Sequence, residues 1–299
     1  MTMYQKPFLK WAGGKTQILS DIIQTIPNEI LNYHEIFLGG GSVLLAVLSL
    51  QKENKLSIKG TVYASDSNKG LINLYMHIQN EPEKLYGLLD AYWKIYDSIT
   101  GEHFIKNPST PQEAVSSKET YYYWVRNQFN AIEKYTLEYS ALFLFLNKMG
   151  FRGLYREGPN GFNVPFGHYK KTPALISLKE LKCISQLIKD VVFEHQDCIV
   201  SINSVKKGDF VYMDPPYVPE KVTSFVGYTK DGFPLEKHKE LFENILKLKN
   251  KNINFALSNS NVDLVNQTLE SCTIRTINAK RAIHSKNPGA RTKEVIITN

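Results

Sequence analysis

Cysteine is scarce. Three thiols, Cys183, Cys198 and Cys272, stand far apart in a chain of 299 residues, and none belongs to a Cys-x-x-Cys pair. That excludes a disulfide framework and a zinc ribbon, and it fits a reducing compartment. Long apolar runs are missing too. Val43–Leu50 and Ala141–Leu146 are the longest, well short of the roughly 20 residues that cross a bilayer. Met1–Lys10 holds no apolar core of the kind a secretory signal needs, so a soluble, cytoplasmic protein without a membrane partner is expected. No repeat or low-complexity tract occurs. Neither Gly-x-Gly-x-x-Gly nor Gly-x-x-x-x-Gly-Lys-Ser/Thr is present, which argues against a dinucleotide or a triphosphate ligand. The seven histidines, among them His34, His168, His195 and His284, lack metal spacing, so no metal is expected.

What is present is ordinary for a globular chain: 42% hydrophobic and 22% charged residues, which excludes wholesale disorder. Lys and Arg number 36 against 29 Asp and Glu, giving a net charge of +7. A surplus of that size favours a polyanionic partner. The length suits two domains, or one large α/β domain with an insertion.

Residues 33–50 read as a strand, a glycine turn and an apolar helix. Further strands are expected at 61–66, 191–197, 209–213, 253–258 and 294–298, with a helix over Lys237–Leu248. Strands alternating with helices predict a mostly parallel sheet covered by helices. From about 70 to 190 the periodicity is helical instead, over Leu71–Gln79, Pro82–Ile95 and Glu119–Ile132. A loop-rich stretch at 147–173 then holds five glycines and three prolines. The pattern predicts a helical insertion with a hairpin-like element, carried by a sheet-based domain. Tyr121, Tyr122, Tyr123, Trp124 and Phe129, at helical spacing, read as core of that insertion rather than as stacking platforms for bases.

Two motifs carry chemistry. Phe37-Leu-Gly39-Gly40-Gly41-Ser42 lies between a strand and a helix, where glycine lets backbone N–H groups approach a ligand. Asp66 ends the next strand, in the position that accepts hydrogen bonds from ribose hydroxyls in nucleotide-binding sheets. An adenosine ligand without pyrophosphate, such as S-adenosylmethionine, fits; an ordinary turn beside an exposed Asp would look the same. The second motif, Asp214-Pro215-Pro216-Tyr217, follows the apolar strand 209–213. Two prolines remove two backbone donors, leaving the Asp214 carboxylate and Pro215 carbonyl as acceptors for the two hydrogens of an exocyclic amine. Drawing both hydrogens toward acceptors pushes the nitrogen toward tetrahedral and frees its lone pair. Tyr217 offers a face for a planar base, worth about 1–3 kcal/mol. A rigid turn with a capping Asp is the plainer reading of the same four residues.

Together and in this order, the motifs resemble those of the Dam-type, D12 class DNA adenine-N6 methyltransferases. Phe8-Leu-Lys10-Trp11-Ala-Gly13-Gly14-Lys15 is similar to that family's N-terminal signature. Similar too are Thr223-Ser-Phe225, Tyr228–Phe233, Leu257-Ser-Asn-Ser-Asn261, and the stretch from Arg281 through Arg291-Thr-Lys-Glu-Val to Asn299. Leu146–Arg156 and Gly161–Tyr169 resemble the family's target-recognition hairpin. The resemblance runs from residue 8 to 299.

The resemblance implies a Rossmann-like, S-adenosylmethionine-dependent methyltransferase fold. Residues 1–69 and 191–299 would form the catalytic domain, and 70–190 an inserted target-recognition domain with its hairpin at about 147–171. Trp11, Lys15, Phe37, Gly39 and Gly41 would contact S-adenosylmethionine. Asp66 would hold its ribose, Asp197 its adenine, and Asp214 would face both its methionine end and the target amine. Lys10, Arg156, Pro165 and Tyr169 match DNA-recognition positions, and Arg152 joins them. Arg152 stands where GATC-specific members commonly carry Asn, and Glu157-Gly158-Pro159 is a second departure; GATC is the first expectation for the target. The implied reaction is in-line methyl transfer to N6 of an adenine flipped out of double-stranded DNA. The implied enzyme is a monomer in a restriction-modification or related system, with a cognate endonuclease acting separately. An RNA or protein amine methyltransferase, a non-catalytic DNA-binding regulator and a cytosine-N4 enzyme are the alternatives.

Overall fold

The computed structural model describes residues 4–219, 233–280 and 291–299. The expected motifs at Thr223–Phe225, most of Tyr228–Phe233, Arg281–Ile283, His284 and Lys286 lie outside these residues. The chain divides into two compact units. One comprises Met1–Gln5, Lys15–Ser67 and Asp190–Asn299; the other comprises Lys6–Gly14 and Asn68–Lys189. Among the described residues no helix is long and apolar enough to cross a membrane.

The first unit is built on a seven-stranded sheet. Its strands are β1 (Tyr33–Glu35), β2 (Val62–Asp66), β3 (Val191–His195), β4 (Phe210–Met213), β5 (Asn254–Ser260), β6 (Thr273–Lys280) and β7 (Arg291–Thr298). Their spatial order is β6-β7-β5-β4-β1-β2-β3. The five strands from β5 to β3 run parallel, and β7 lies antiparallel between β5 and β6. The mixed α/β, mostly parallel sheet expected from the sequence is therefore present, and its order is compatible with an S-adenosylmethionine-dependent methyltransferase fold. The order reverses at β1, whose neighbours are β4 on one side and β2 on the other. In open α/β sheets the carboxyl ends of the strands at such a reversal border a ligand crevice.

At the opposite, amino-terminal edge a polar knot fixes the register. Asp209, 1% exposed, accepts at Oδ1 from the Asn32 N–H (3.2 Å) and the Asn32 side-chain amide (2.7 Å), while its Oδ2 accepts from the Lys206 N–H (2.9 Å) and faces His34 Nε2 at 3.2 Å. The Asn32 side-chain oxygen Oδ1 accepts from Thr61 N–H at 2.8 Å. One asparagine and one aspartate thus tie together the starts of β1, β2 and β4. Above them, alternate residues of β4, β5 and β7 (Val211, Met213, Phe255, Leu257, Val295, Ile297) pack with Leu241, Phe242 and Ile245 of the helix Leu235–Asn250.

The second unit is mainly helical, with helices Lys69–Asn80, Pro82–Ser98, Lys118–Ala131, Leu137–Met149 and Leu178–Leu187. Asn68, Ser117, Thr136 and Ser177 each cap the helix that follows with a side-chain oxygen. Tyr121, Tyr122 and Phe129 are buried as expected, and Phe129 stacks on Tyr139 with centroids 4.3 Å apart. Residues 149–167 fold back on themselves: Gly167 N–H bonds Met149 O (2.9 Å), Phe151 N–H bonds Pro165 O (2.8 Å), and Glu157–Gly158 pairs antiparallel with Gly161–Phe162.

The structure differs from expectation at three places. Lys6–Gly14, expected with the first domain, groups with the second unit. The cause is local: the Asn147 amide bonds the Lys10 backbone in both directions (3.0 and 2.7 Å), and Phe8 packs edge-on against Tyr75. The helix Leu137–Met149 was not expected, because residues 141–147 are buried on every side and so carry no amphipathic period. Strand β6 was not expected either; its alternation, Thr-Ile-Arg-Thr-Ile-Asn, is broken up by basic residues. One of them, Arg275, is ion-paired to Asp21 at 2.8 Å.

Asp209→Ala would strand three part-buried donors at once, and the expected loss of folding stability is on the order of 2 kcal/mol. Asp209→Asn, which keeps one acceptor oxygen, should lose less. Urea unfolding of the two variants checks the ranking.

Candidate active site

The carboxyl ends of β1, β2 and β4 carry the expected motifs of the first unit. After β1 the chain turns through Phe37–Gly41 into the helix Ser42–Lys52. Gly39 (φ 49°) and Gly41 (φ 67°) both adopt left-handed backbone, which a side chain there would oppose. The Gly39 N–H donates to Asp66 Oδ2 at 3.0 Å, and Leu38 N–H to Ser65 O at 3.0 Å. The glycine turn and the end of β2 are therefore one joined element. Phe37 is half-buried, with its ring edge-on to Phe233 at 5.9 Å.

Asp214 follows β4 directly. Its Oδ2 pairs with Lys15 Nζ at 2.7 Å, and Lys15 is only 6% exposed. The Lys15 backbone N–H bonds Ser42 Oγ at 3.2 Å, tying this cation to the first turn of the helix after the glycine loop. Its ammonium also lies over the Tyr217 ring, 4.9 Å from the centroid. Asp214 Oδ1 is buried and has no hydrogen-bond partner among the described residues. An unpaired buried acceptor is costly and calls for an explanation. Here one oxygen is held by a cation while the other stands open to a donor. Pro215 is buried beside it.

The electrostatics are unusual. Burial, the largest influence, pushes the Asp214 carboxyl up to about 6; Lys15 pulls it down and Glu294 pushes it up. Burial likewise lifts Glu35, 2% exposed on β1, to about 8, with the Tyr33 hydroxyl bond (2.8 Å) opposing the shift and the Asp214 charge adding to it. Tyr217 Oη donates to Glu294 Oε2 at 2.9 Å, and burial beside Asp214 and Glu294 keeps that phenol protonated far above its ordinary range. One ammonium, on Asp214, thus stands against the mutual repulsion of Asp214 with Glu35 and with Glu294. Asp197 stands apart at the end of β3: it caps the helix Cys198–Ser204 through Ile199 N–H (2.8 Å) and pairs with Lys237 at 3.0 Å.

The remaining expected residues lie in the second unit. Lys10 Nζ contacts Tyr169 Oη at 3.3 Å and sits 4.4 Å from that ring's centroid. Tyr169 Oη donates to Gly150 O at 2.7 Å. Arg156 Nε donates to Asn163 Oδ1 at 2.6 Å across the hairpin. Arg152, exposed and in left-handed backbone (φ 55°), lays its guanidinium over Phe151, and Pro165 is exposed. Trp11 stacks on Tyr155 (5.9 Å) and Phe143 (6.3 Å) within this unit.

Similarity to known proteins decides the family. The model of the D12 class N6 adenine-specific DNA methyltransferases matches residues 11–283. The chain belongs to that family. It is 36% identical over 294 residues to the type II methyltransferase M.MjaIII of Methanocaldococcus jannaschii, covering 95% of this chain and 94% of the relative. It is 31% identical over 302 residues to the type II methyltransferase M1.LlaDCHI of Lactococcus lactis subsp. cremoris, covering 98% and 95%. Against a DNA adenine methylase of Haemophilus influenzae it is 31% identical over 291 residues, covering 96% and 91%. This D12 class methyltransferase is thus an adenine-specific DNA-modifying enzyme, and methyltransferases of this family use S-adenosylmethionine.

Sequence reasoning did not assign roles to Glu35, Glu294 or Asn259. Glu35 had a readable signal, a carboxylate set directly before the apolar Ile36–Leu38. Glu294 and Asn259 lay within matched motifs, but only the fold brings them beside Asp-Pro-Pro-Tyr. Among the described residues, no cluster of histidine, cysteine, aspartate and glutamate is grouped to hold a metal ion.

Glu35 has a higher affinity for its proton in the folded protein than in the unfolded chain, so its contribution to stability is full below pH 4.5 and is lost by about pH 8. Glu35→Gln removes that loss while keeping an acceptor for Tyr33. Its melting temperature relative to wild type should climb across this window and level off above it, as calorimetry at several pH values would read.

Proposed function

We propose that the corner at Asp214 and Pro215 holds the amino group of an adenine rotated out of duplex DNA, while Tyr217 stacks on the base. The observation that carries this reading is the divided Asp214 carboxylate, one oxygen fixed by Lys15 and the other buried without a partner. An N6–H supplies the missing donor, and the Pro215 carbonyl accepts the second hydrogen. The Asp214 carboxylate works by accepting these bonds; it need not strip a proton from the neutral amine first. A stacked base cannot reach such a corner, so the target must leave the helix.

The glycine turn supports a site for the methyl donor. Left-handed Gly39 and Gly41, joined to Asp66, give the bare backbone and carboxylate that an adenosine ribose needs. Phe37 and Asp197 would flank its adenine, with Trp11 and Lys15 as further contacts. When bound, S-adenosylmethionine supplies a methyl group already activated by its sulfonium. The protein's part is to position the amine and to keep the corner polar and preorganised.

In the second unit, residues 147–171 would read the flanking bases, with GATC as the first target to test. Lys10 and Tyr169 form one contact cluster, and Arg156, held by Asn163, presents a guanidinium suited to guanine O6 and N7. Arg152 and Pro165 would add contacts on the same hairpin. The type II relatives favour a role in restriction-modification, beside a separate endonuclease.

Asp214→Ala should abolish methyl incorporation into duplex DNA, with some loss of melting temperature because Lys15 is left buried and unpaired; turnover near wild type in the folded variant would overturn the assignment. Because the carboxylate is the working form, wild-type rate should fall as pH drops through about 6. Arg156→Ala should weaken discrimination at one base pair by about 1–3 kcal/mol, read as relative rates on single-substitution duplexes, with donor affinity unchanged.

A further inference from the structure

The geometry points to Glu294 as a positioning residue that aims the Tyr217 ring at the target base, an inference resting on the reading of Tyr217 above. Tyr217 is pinned at two points. Its hydroxyl is held by Glu294 Oε2 at 2.9 Å, from β7. The backbone just beyond it is held from β5: Val218 N–H donates to Asn259 Oδ1 at 3.1 Å, and Ser260 Oγ donates to Val218 O at 2.6 Å. Glu294 and Ser260 are directly paired across the β5–β7 ladder. Backbone anchor and hydroxyl anchor are therefore neighbours on one rigid surface, so the ring has its base and its tip fixed by a single two-strand platform.

That arrangement exceeds what packing requires. A tyrosine serving only to fill space could leave its hydroxyl to water, whereas this one is half-buried and directed onto a carboxylate 77 positions away in sequence. A stacking ring whose plane is set in advance loses little freedom when a base arrives, and small misplacements near a reacting amine are expensive in rate. The same carboxylate also acts on Asp214. Among the described residues, the groups that bear on Asp214 are Lys15 before the first helix, Glu35 on β1, Tyr212 on β4, Tyr217 of its own loop and Glu294 on β7. Glu294 pushes the Asp214 carboxyl up, so removing its charge shifts the acid limb of the rate profile to lower pH.

The test uses the full chain on duplex DNA, with single-turnover methylation rates, donor affinity and pH profiles for Glu294→Ala, Glu294→Gln, Tyr217→Phe and the double variant Tyr217→Phe/Glu294→Ala. Glu294→Ala should slow the methylation step by roughly tenfold to a hundredfold, with S-adenosylmethionine affinity nearly unchanged. The double variant should be no slower than the slower of its two parents, because both remove one contact. Glu294→Gln keeps an acceptor for the hydroxyl, so it should recover most of the rate at neutral pH while its acid limb moves below about 6. Losses that multiply in the double variant, a Glu294→Ala rate near wild type, or an unmoved acid limb in Glu294→Gln would each overturn the proposal. If Glu294→Ala does not fold, the Glu294→Gln profile decides. A wild-type chain that methylates no duplex would overturn the parent reading along with this one, whereas an active wild type with indifferent variants overturns this one alone.

Discussion

One ammonium holds the site together. Lys15 pairs directly with Asp214, whose charge raises the Glu35 carboxyl and whose own carboxyl is raised by Glu294. Carboxylates brought this close and out of water resist ionising together. The structure meets that constraint by leaving Glu35 protonated in the neutral range and by placing the Lys15 charge directly on Asp214. Asp214 keeps its negative charge at neutral pH because of that contact. Because Lys15 is buried, the pair is shielded from salt in a way that exposed ion pairs are not.

Backbone order makes this clustering possible. The reversal at β1 brings the ends of three strands, far apart in sequence, to one edge, and the Asn32–Asp209 knot at the other edge sets how far each strand reaches. A slip of one residue in β4 would turn Asp214 away from Lys15. Register at one end of the sheet is in this sense a chemical parameter at the other.

The sheet was largely legible in the sequence because its strands are short and bounded by glycine or polar residues, most plainly at 62–66 and 210–213. The two motifs were legible because each follows a strand and the two stand in the order that the resembling family shows. What stayed hidden depended on long-range pairing. Glu294 looks like a solvent-facing residue on a terminal strand until β7 is seen between β5 and β6. Asn259, wholly buried, carries no periodic signal that separates it from a loop asparagine. The Leu137–Met149 helix was hidden for the opposite reason, since burial on all sides erases the very asymmetry that reveals most helices. The regrouping of Lys6–Gly14 rests on long-range contacts, the Asn147 side chain clasping the Lys10 backbone and Phe8 packing on Tyr75, which no local pattern encodes.

The placement of β7 has a consequence for synthesis. Ribosomes make the parallel strands first, and β5 must wait for residues 291–298 before its outer edge is paired. During that interval a nascent chain displays an unsatisfied edge flanked by Phe255 and Leu257, a template for joining another polypeptide. Arrival of the final strand closes the edge and, through one side chain, finishes the tyrosine's mounting in the same event. Completion of the Tyr217 mounting and protection against misassembly are thus achieved by the same eight residues.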